Sequence, residues 1–513
     1  MKKYLDYNGL QYFWNKLKGN SINSNSISLF NGFSGLIGTV ELNDDNVVVD
    51  EISFNSIFVS ITGNDSTGNG TKNNPFKTIN KALENVQSGQ TIWVRAGTYS
   101  ESITFNKSGE EGKYIIIRNY PNEVAKIDLT GKTVESIINF NMQSYIQVIG
   151  LELCNLLQNK SAVYGVMFQG GEKNCVVANC NIHDIDAKNS LSGNAHGIKL
   201  SGLEAEATEN ILIQNNHIHD CVCGTSEALT VIANSKNIDI IGNKVHDNGN
   251  IGIDIIGNFQ ENSDPSLDFA RNVFVAENEV YNCHSNNADC AGLYVDGASN
   301  VIFARNKSYN NQIGLEIGAE EVASNDEYYP HNNLAINNLI YNNTVRAVGL
   351  GGYSSDAGKT YNTFLWNNTI IHPATAADVA MSINVGKGFS IVNNIIIDLG
   401  TWNFFFNSDV GSDYCKNYIF YNNLLHQLNG EEIGKYFNIA GTQYNTQEFQ
   451  DADFTENNII TADYGLNEDY TLAQNSPAIN AGYYVDKILE FLDLAGKSRE
   501  KDNIDIGCYK YEN

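Results

Sequence analysis

Eight short stretches decide the fold: LIQNNHIHD (212–220), IIGNKVHDN (240–248), VAENEVYNC (275–283), FARNKSYNN (303–311), AINNLIYNN (335–343), LWNNTIIHP (365–373), IVNNIIIDL (391–399) and FYNNLLHQL (420–428). One Asn recurs through them, at Asn216, Asn243, Asn278, Asn306, Asn338, Asn368, Asn394 and Asn423, at intervals of 26–35 residues. A period of that size with apolar residues alternating around it marks a β-solenoid, in which each repeat is one rung and cannot bury its core alone. An Asn at one corner of every rung can bond through its amide to the rungs on both sides, and it tolerates the left-handed backbone that a tight corner needs. His183, His219 and His246, each followed by Asp, share one register and give way to Tyr281, Tyr309 and Tyr341. We read them as a stacked ladder in preference to metal or catalytic pairs. The spacing predicts an all-β, single-stranded right-handed parallel β-helix with rungs over 131–430.

Composition agrees. A chain of 513 residues exceeds the roughly 250–300 at which compact cores stop growing, and a solenoid escapes that limit by adding rungs. Six Pro against 44 Gly suits stacked strands, whose ladders need nearly every backbone N–H while their corners use Gly and Asn. With 32 Lys+Arg and 59 Asp+Glu the net charge is -27, which repels polyphosphate and excludes nucleic acid as a partner. The surplus carboxylates serve solubility, or gather in a groove or around Ca²⁺; no other cofactor is expected. The nine Cys form no C-x-x-C pair and read as buried thiols in stacked columns rather than a zinc site or disulfide framework. Without an apolar leader core or a run of about 18 apolar residues, neither membrane insertion nor conventional secretion is expected.

The stretch IFVSITGNDSTGNGTKNNPFKTINKALENVQSGQTIWVRAGTYSE (57–101) reads as strand, Gly-rich turn, helix 75–87 and strand 91–95. It resembles the N-terminal capping unit of parallel β-helix enzymes, including the family-nine polysaccharide lyases and β-helical xylosidases, and so implies a cap over 56–130. The ending DYTLAQNSPAINAG (469–482), DLAGKSR (493–499) and DIGCYKY (505–511) resembles the C-terminal cap of bacterial and phage β-helix proteins, implying C-terminal rungs and cap over 431–513.

Each rung carries a second strand: HGIKLSG (196–202), EALTVIA (227–233), IGIDIIG (251–257), AGLYVDG (291–297), IGLEIGA (313–319), RAVGLGG (346–352) and VAMSINV (379–385). Alternation points the apolar residues inward. Lys199, Thr230, Asp254, Tyr294, Glu316, Gly349 and Ser382 then form one outward column, and Ser201, Ile232, Ile256, Asp296 and Gly318 the next. With rungs about 4.8 Å apart, Asp254 and Glu316 stand roughly 10 Å apart across Tyr294, and Asp296 lies one rung and one column away. Paired carboxylates some 5–9.5 Å apart are what glycoside hydrolysis requires, one as acid and one as nucleophile or base. Close like charges also raise one pKa and so supply the proton donor. Insertions at 203–210, 258–271, 319–333 and 353–361 all follow this strand and would wall the patch into a groove, where Tyr328, Tyr329, His331 and Tyr353 suit stacking on sugar rings. The outward placement leads us to expect that substitutions here cost no stability.

IGLEIGAE (313–320) after AGLYVDG (291–297) resembles the region where β-helical xylosidases carry a catalytic Asp on one rung and Glu on the next. That resemblance implies catalytic roles for Asp296 and for Glu316 or Glu320. HGIKLSG resembles the strand that carries the Lys base of family-nine lyases, which implies such a role for Lys199, although the Asp cluster that would hold their Ca²⁺ is not found intact. Residues 4–18 have helical apolar spacing, with a linker over 19–55. KYLDYNGLQYFWNKLK (3–18) resembles the opening of tail proteins of gut phages and prophages. It implies a tail-spike-like protein of the virion tail or the host surface, attached by its N-terminal helix to other tail proteins, with host surface glycan as ligand and a homotrimer as an open assembly. An enzyme, a non-catalytic receptor-binding spike and a structural tail component all fit, as does a bacterial polysaccharide lyase, since the fold by itself implies no activity.

Overall fold

The computed structural model describes residues 55–512, apart from 158–161, 188–192, 287, 289, 353–357, 400–404, 407–414, 427–436, 440–441 and 486–490. The expected attachment helix and linker, and Tyr353, lie outside the described residues. The chain divides into two compact units, one of residues 55–250 with 261–267, the other of 251–260 with 268–512.

In both units the chain contributes one strand per turn to each of three parallel sheets, as a right-handed parallel β-helix does. In the first unit the third-sheet strands Asn181–Asp186, His217–His219 and Lys244–His246 pair in parallel, stacking Ile182, Ile218 and Val245 in one fully buried column. In the second unit Val280, Ser308, Ile340, Ile370 and Ile396 stack in the same way. Each buried Ile or Val contributes about 1.5–3 kcal/mol of transfer free energy.

The Asn ladder is present and its bonds are explicit. The Asn306 backbone N–H and side-chain amide both donate to Asn338 Oδ1, at 2.9 and 3.0 Å, and Asn338 does the same to Asn368. Asn368, Asn394 and Asn423 continue the series, which runs on to Asn458. One expectation needs correction: the ladder Asn does not itself adopt the left-handed backbone. The preceding residue does, at Asn337, Asn367, Asn393 and Asn422 with φ of 50 to 59°. The recurrent Asn-Asn pair therefore divides two tasks between neighbours: the first turns the corner at positive φ and the second carries the continuous amide ladder, although Asn393 also donates to Asn367 Oδ1 at 3.2 Å. At Glu277 and Arg305 longer side chains take the left-handed position, paired by an ion pair of 2.8 Å.

The stacked rings are likewise ladder members: His183 on His219 at 4.9 Å, His219 on His246 at 5.4 Å, Tyr281 on Tyr309 at 4.9 Å and Tyr309 on Tyr341 at 4.7 Å. Cys154, Cys175, Cys180, Cys221, Cys223, Cys283, Cys290 and Cys508 are free and buried, as expected.

The capping helix spans Ile79–Asn85, shorter than the expected 75–87. Thr78 caps it from an extended backbone, and the Glu101 carboxylate takes the N–H groups of Ile79 and Asn80, ending the helix where those orphan donors find acceptors. At the other end, the left-handed Asn side chains hold the C-terminal segment: Asn337, Asn367, Asn393 and Asn422 donate to the carbonyls of Leu492, Asp505, Tyr483 and Ala481. Buried Arg499 closes this seam, donating to Asn337 Oδ1 and to the Asp505 and Gly507 carbonyls.

Candidate functional site

The site is built by adjacent second-sheet strands of the second unit, Ile253–Ile256, Ala291–Asp296, Ile313–Gly318, Arg346–Leu350 and Met381–Ile383. Their registers place Asp254 beside Tyr294, Tyr294 beside Glu316, Glu316 beside Gly349 and Gly349 beside Ser382. This is the expected column. Asp296 pairs with Gly318, one rung and two residues from Glu316, which sets their backbones about 8 Å apart on a diagonal.

The side chains do not project into solvent as expected. Asp254, Tyr294 and Asp296 are 1, 5 and 3% exposed, whereas Glu316 is half-buried and Glu320 exposed. The cover comes from the chain that follows the strands. The segment after Gly318 turns back so that the Glu320 N–H donates to Asp296 Oδ1 at 2.8 Å. Asn258 donates to the Tyr328 carbonyl at 3.2 Å, tying the turn after Gly257 to the 319–333 segment. Strand alternation alone could not reveal this folding back.

Tyr294 is the centre of the patch. Burial first, then the charges of Asp296, Glu316, Glu320 and Asp254, push its hydroxyl well above its ordinary pKa, so it stays a neutral donor among carboxylates. Glu320 is exposed as a residue, but its carboxyl is shielded where it accepts from the Tyr294 hydroxyl; that desolvation, and then the charge of Glu321, raises the carboxyl, opposed by the hydrogen bond itself. Gly349 leaves room for Glu316, since a Cβ there would stand 3.2 Å from Glu316 Oε1, whereas one on Gly318 would meet the Gly351 carbonyl oxygen at 2.9 Å and only touch the Tyr294 hydroxyl at 3.6 Å.

The loop aromatics are less available than expected. Tyr329 is buried edge-on against Tyr361 with Lys359 over its ring, and half-buried Tyr328 stacks on Phe269, so one face of each ring is already occupied. His331 Nδ1 lies 2.9 Å from the Tyr329 carbonyl and 3.1 Å from Ser299 Oγ, which ties the imidazole to the neighbouring strand Ser299–Ala304 and to the segment before its own.

Lys199 belongs to the first unit, in register with Met167 and Thr230, where the Ser201–Ile232 pairing of the second column also holds. The sequence reading passed over its neighbours His196 and Glu227. A His and a Glu on strands already assigned to this face were the signal.

Among the described residues one group of three donors, Glu152, Cys154 and His183, has ligand atoms within 4.8 Å of one another. Lys126 pairs with Glu152 at 2.8 Å, and burial pushes the Cys154 thiol up to about 11, so a cation would compete with an ammonium and a proton. A set with a thiol also departs from the all-oxygen shell that calcium takes. No helix among the described residues is long and apolar enough to cross a membrane.

Over 334 residues the chain is 30% identical to the uncharacterized protein YwoF of Bacillus subtilis (strain 168), across 62% of this chain and 69% of that protein. The chain belongs to the YwoF family. Residues 57–222 also match the family described as Pel9A-like, right handed beta helix region. Among solved structures, XylC in complex with xylose aligns with this YwoF relative over 88% of the chain and 98% of XylC, with a TM-score of 0.57 at 13% identity. Pectate lyase Pel9A aligns over 89 and 96%, with a TM-score of 0.48 at 14% identity. At such identities the XylC likeness shows the fold alone.

Proposed function

We propose that the chain binds and cleaves polysaccharide by glycoside hydrolysis at the patch around Tyr294. The observation that carries this reading is Tyr294 standing in register between Asp254 and Glu316, with Asp296 two residues along its own strand and its hydroxyl donating to Glu320; Glu316 and Glu320 have surface to offer a sugar. Glu316 protonates the leaving oxygen. Asp296, oriented by the Glu320 N–H, acts as nucleophile or base once the segment after Gly318 yields to substrate. Asp254 tunes the shared charge, and Glu320, whose carboxyl is raised by burial, is the rival donor. The backbones of Asp296 and Glu316, about 8 Å apart, let their carboxyl groups reach the separations that two-carboxylate chemistry uses. XylC, whose fold this chain shares, was solved with a sugar bound, which agrees with a saccharide as ligand. Incubating the chain with a panel of polysaccharides tests the reading: new reducing ends without unsaturated uronate absorbance mark hydrolysis, unsaturated products mark a lyase, and binding without either marks a receptor-binding protein.

A second reading concerns setting and rests on residues 3–18, which resemble the openings of phage tail proteins. In it the chain is a tail-spike-like component acting on host surface glycan. Deleting residues 1–35 should then abolish incorporation into a particle while the melting temperature barely moves; a large loss of stability would refute that role.

A further inference from the structure

The ladder of rings carries more in the first unit than stacking requires. In the second unit Tyr281, Tyr309 and Tyr341 form the stack, and each is followed by an Asn in the left-handed backbone, Asn282, Asn310 and Asn342 with φ of 53 to 54°. In the first unit the rings are His183, His219 and His246, and the left-handed residue after each is Asp, with φ of 53 to 55°. Asn and Asp both tolerate that backbone, so the corner does not ask for a charge. The carboxylates serve the imidazoles instead: Asp184, Asp220 and Asp247 each place Oδ2 at 2.6 Å from Nδ1 of the His before them. A carboxylate on Nδ1 keeps the proton there and fixes the ring, which is how a metal-ligating histidine is held with its Nε2 lone pair outward.

What each ring meets at its far end differs. A ring reaches back to the residue two places before the ladder position on the preceding rung. His183 Nε2 meets Glu152 Oε1 at 3.4 Å, His219 Nε2 meets Asn181 Oδ1 at 3.0 Å and, in the second unit, the Tyr309 hydroxyl donates to Glu279 Oε1 at 2.8 Å. In all three an oxygen accepts. At His246 the residue in that place is His217, and the two Nε2 atoms stand 2.5 Å apart. With the His246 proton held on Nδ1 by Asp247, only the His217 proton lies between two ring nitrogens, closer together than the roughly 2.7–3.2 Å of an ordinary hydrogen bond. A cation relieves this crowding. Metal–nitrogen bonds of about 2.0–2.1 Å at a square-planar or tetrahedral angle set two nitrogens about 2.8–3.4 Å apart, so the rings need part by less than about 1 Å. The His219 ring lies against both, with centroids 4.2 Å from His217 and 5.4 Å from His246. His217 and His246 are half-buried, which leaves an ion a way in. Lys244, in register with His217, is exposed and can turn its ammonium to solvent, unlike Lys126 on Glu152.

We propose that His217 and His246 bind a divalent transition-metal ion of the Zn²⁺ and Cu²⁺ class through their Nε2 atoms, with water in the remaining positions. Asp247 is a positioning residue that acts through His246. On binding, His217 moves its proton from Nε2 to Nδ1, so neither ring changes charge. The ion joins consecutive rungs of the first unit, and a pair of imidazoles selects it over Ca²⁺ and Mg²⁺, which take oxygen ligands. This site is independent of the chemistry proposed at Tyr294.

Calorimetric titration of the full chain with Zn²⁺ at neutral pH, with circular dichroism to confirm folding, tests this. The affinity of one site should fall about tenfold or more in His217→Asn and in His246→Tyr. Both residue types already occupy these columns, Asn at Asn181 and Tyr at Tyr281, Tyr309 and Tyr341, so the stack survives. Asp247→Asn, which keeps the corner as Asn282 does, should weaken binding about tenfold, since it removes only the carboxylate behind the ligand. Asp184→Asn should change nothing. Saturating Zn²⁺ should raise the melting temperature of the wild type and not that of His246→Tyr, and with Cu²⁺ the electron paramagnetic resonance spectrum should show two ligating nitrogens, reduced to one or none in that variant. No Zn²⁺ binding by the wild type, or equal binding in His217→Asn and His246→Tyr, overturns the proposal. So does an equal loss in Asp184→Asn, which would move the ion to Glu152, Cys154 and His183.

Discussion

Replacing Asn338 by Ala removes every bond its amide makes between neighbouring rungs. Its Oδ1 accepts from the Asn306 backbone N–H and side-chain amide, and its Nδ2 donates to the Phe303 carbonyl and to Asn368 Oδ1. Asn368 Oδ1 keeps the Asn338 backbone N–H, and Asn306 Nδ2 keeps the Val275 carbonyl. The Asn306 backbone N–H, in a residue with no exposed surface, keeps neither a partner nor water. That orphan costs about 1–3 kcal/mol, and the remaining lost bonds add about 1 kcal/mol, so we expect a loss of about 2–4 kcal/mol. Urea unfolding followed by circular dichroism measures it, and hydrogen exchange at Asn306 locates it. The double variant with Asn306→Ala should be less destabilised than the sum of the two single variants, by about 0.5–1.5 kcal/mol, because both remove the same amide bond. A neutral Asn338→Ala, or strict additivity, would refute the ladder as a source of stability.

Four further outcomes follow from the geometry. Asp296→Asn and Glu316→Gln should each lower the cleavage rate by about a thousandfold or more, measured on whichever glycan the wild type degrades; full activity in both eliminates the patch. Because Asp296 is buried and takes the Glu320 N–H, Asp296→Ala should also cost about 1–3 kcal/mol of stability, contrary to the expectation for an outward-facing residue. Arg499→Ala leaves Asn337 Oδ1 without the buried guanidinium donor, leaves the Asp505 and Gly507 carbonyls with Asn367 Nδ2, and takes their countercharge from Asp493 and Asp505, a loss of roughly 3–5 kcal/mol. Limited proteolysis should then cut the C-terminal segment faster, and unchanged protection would count against the seam. Glu320 binds its proton more tightly folded than unfolded, so it destabilises the fold only when ionised: the penalty is absent below the ordinary value of 4.5 and grows as pH rises through the raised native pKa. Glu320→Gln should thus match the wild type at low pH and exceed it in stability above that window; a pH-independent difference would be inconsistent with the raised carboxyl.

The rung repeat, the Asn ladder, the ring stack and the column that joins Asp254, Tyr294 and Glu316 were all legible in the chain, because strand alternation and a fixed period are local rules that stacked rungs apply again at each turn. The split of labour in each Asn-Asn pair was not, since which residue turns left-handed depends on where the next rung sits. Nor was the burial of Asp296, to which the Glu320 N–H folds back from a loop that has no period to read. The setting of Lys199 has the same origin. Its type and face can be read from HGIKLSG, but the distance to Glu261 and the bond that joins His196 to Glu227 arise only when residues 31 to 62 positions apart in the chain meet. Composition supplies the charges; tertiary contact decides which of them are answered.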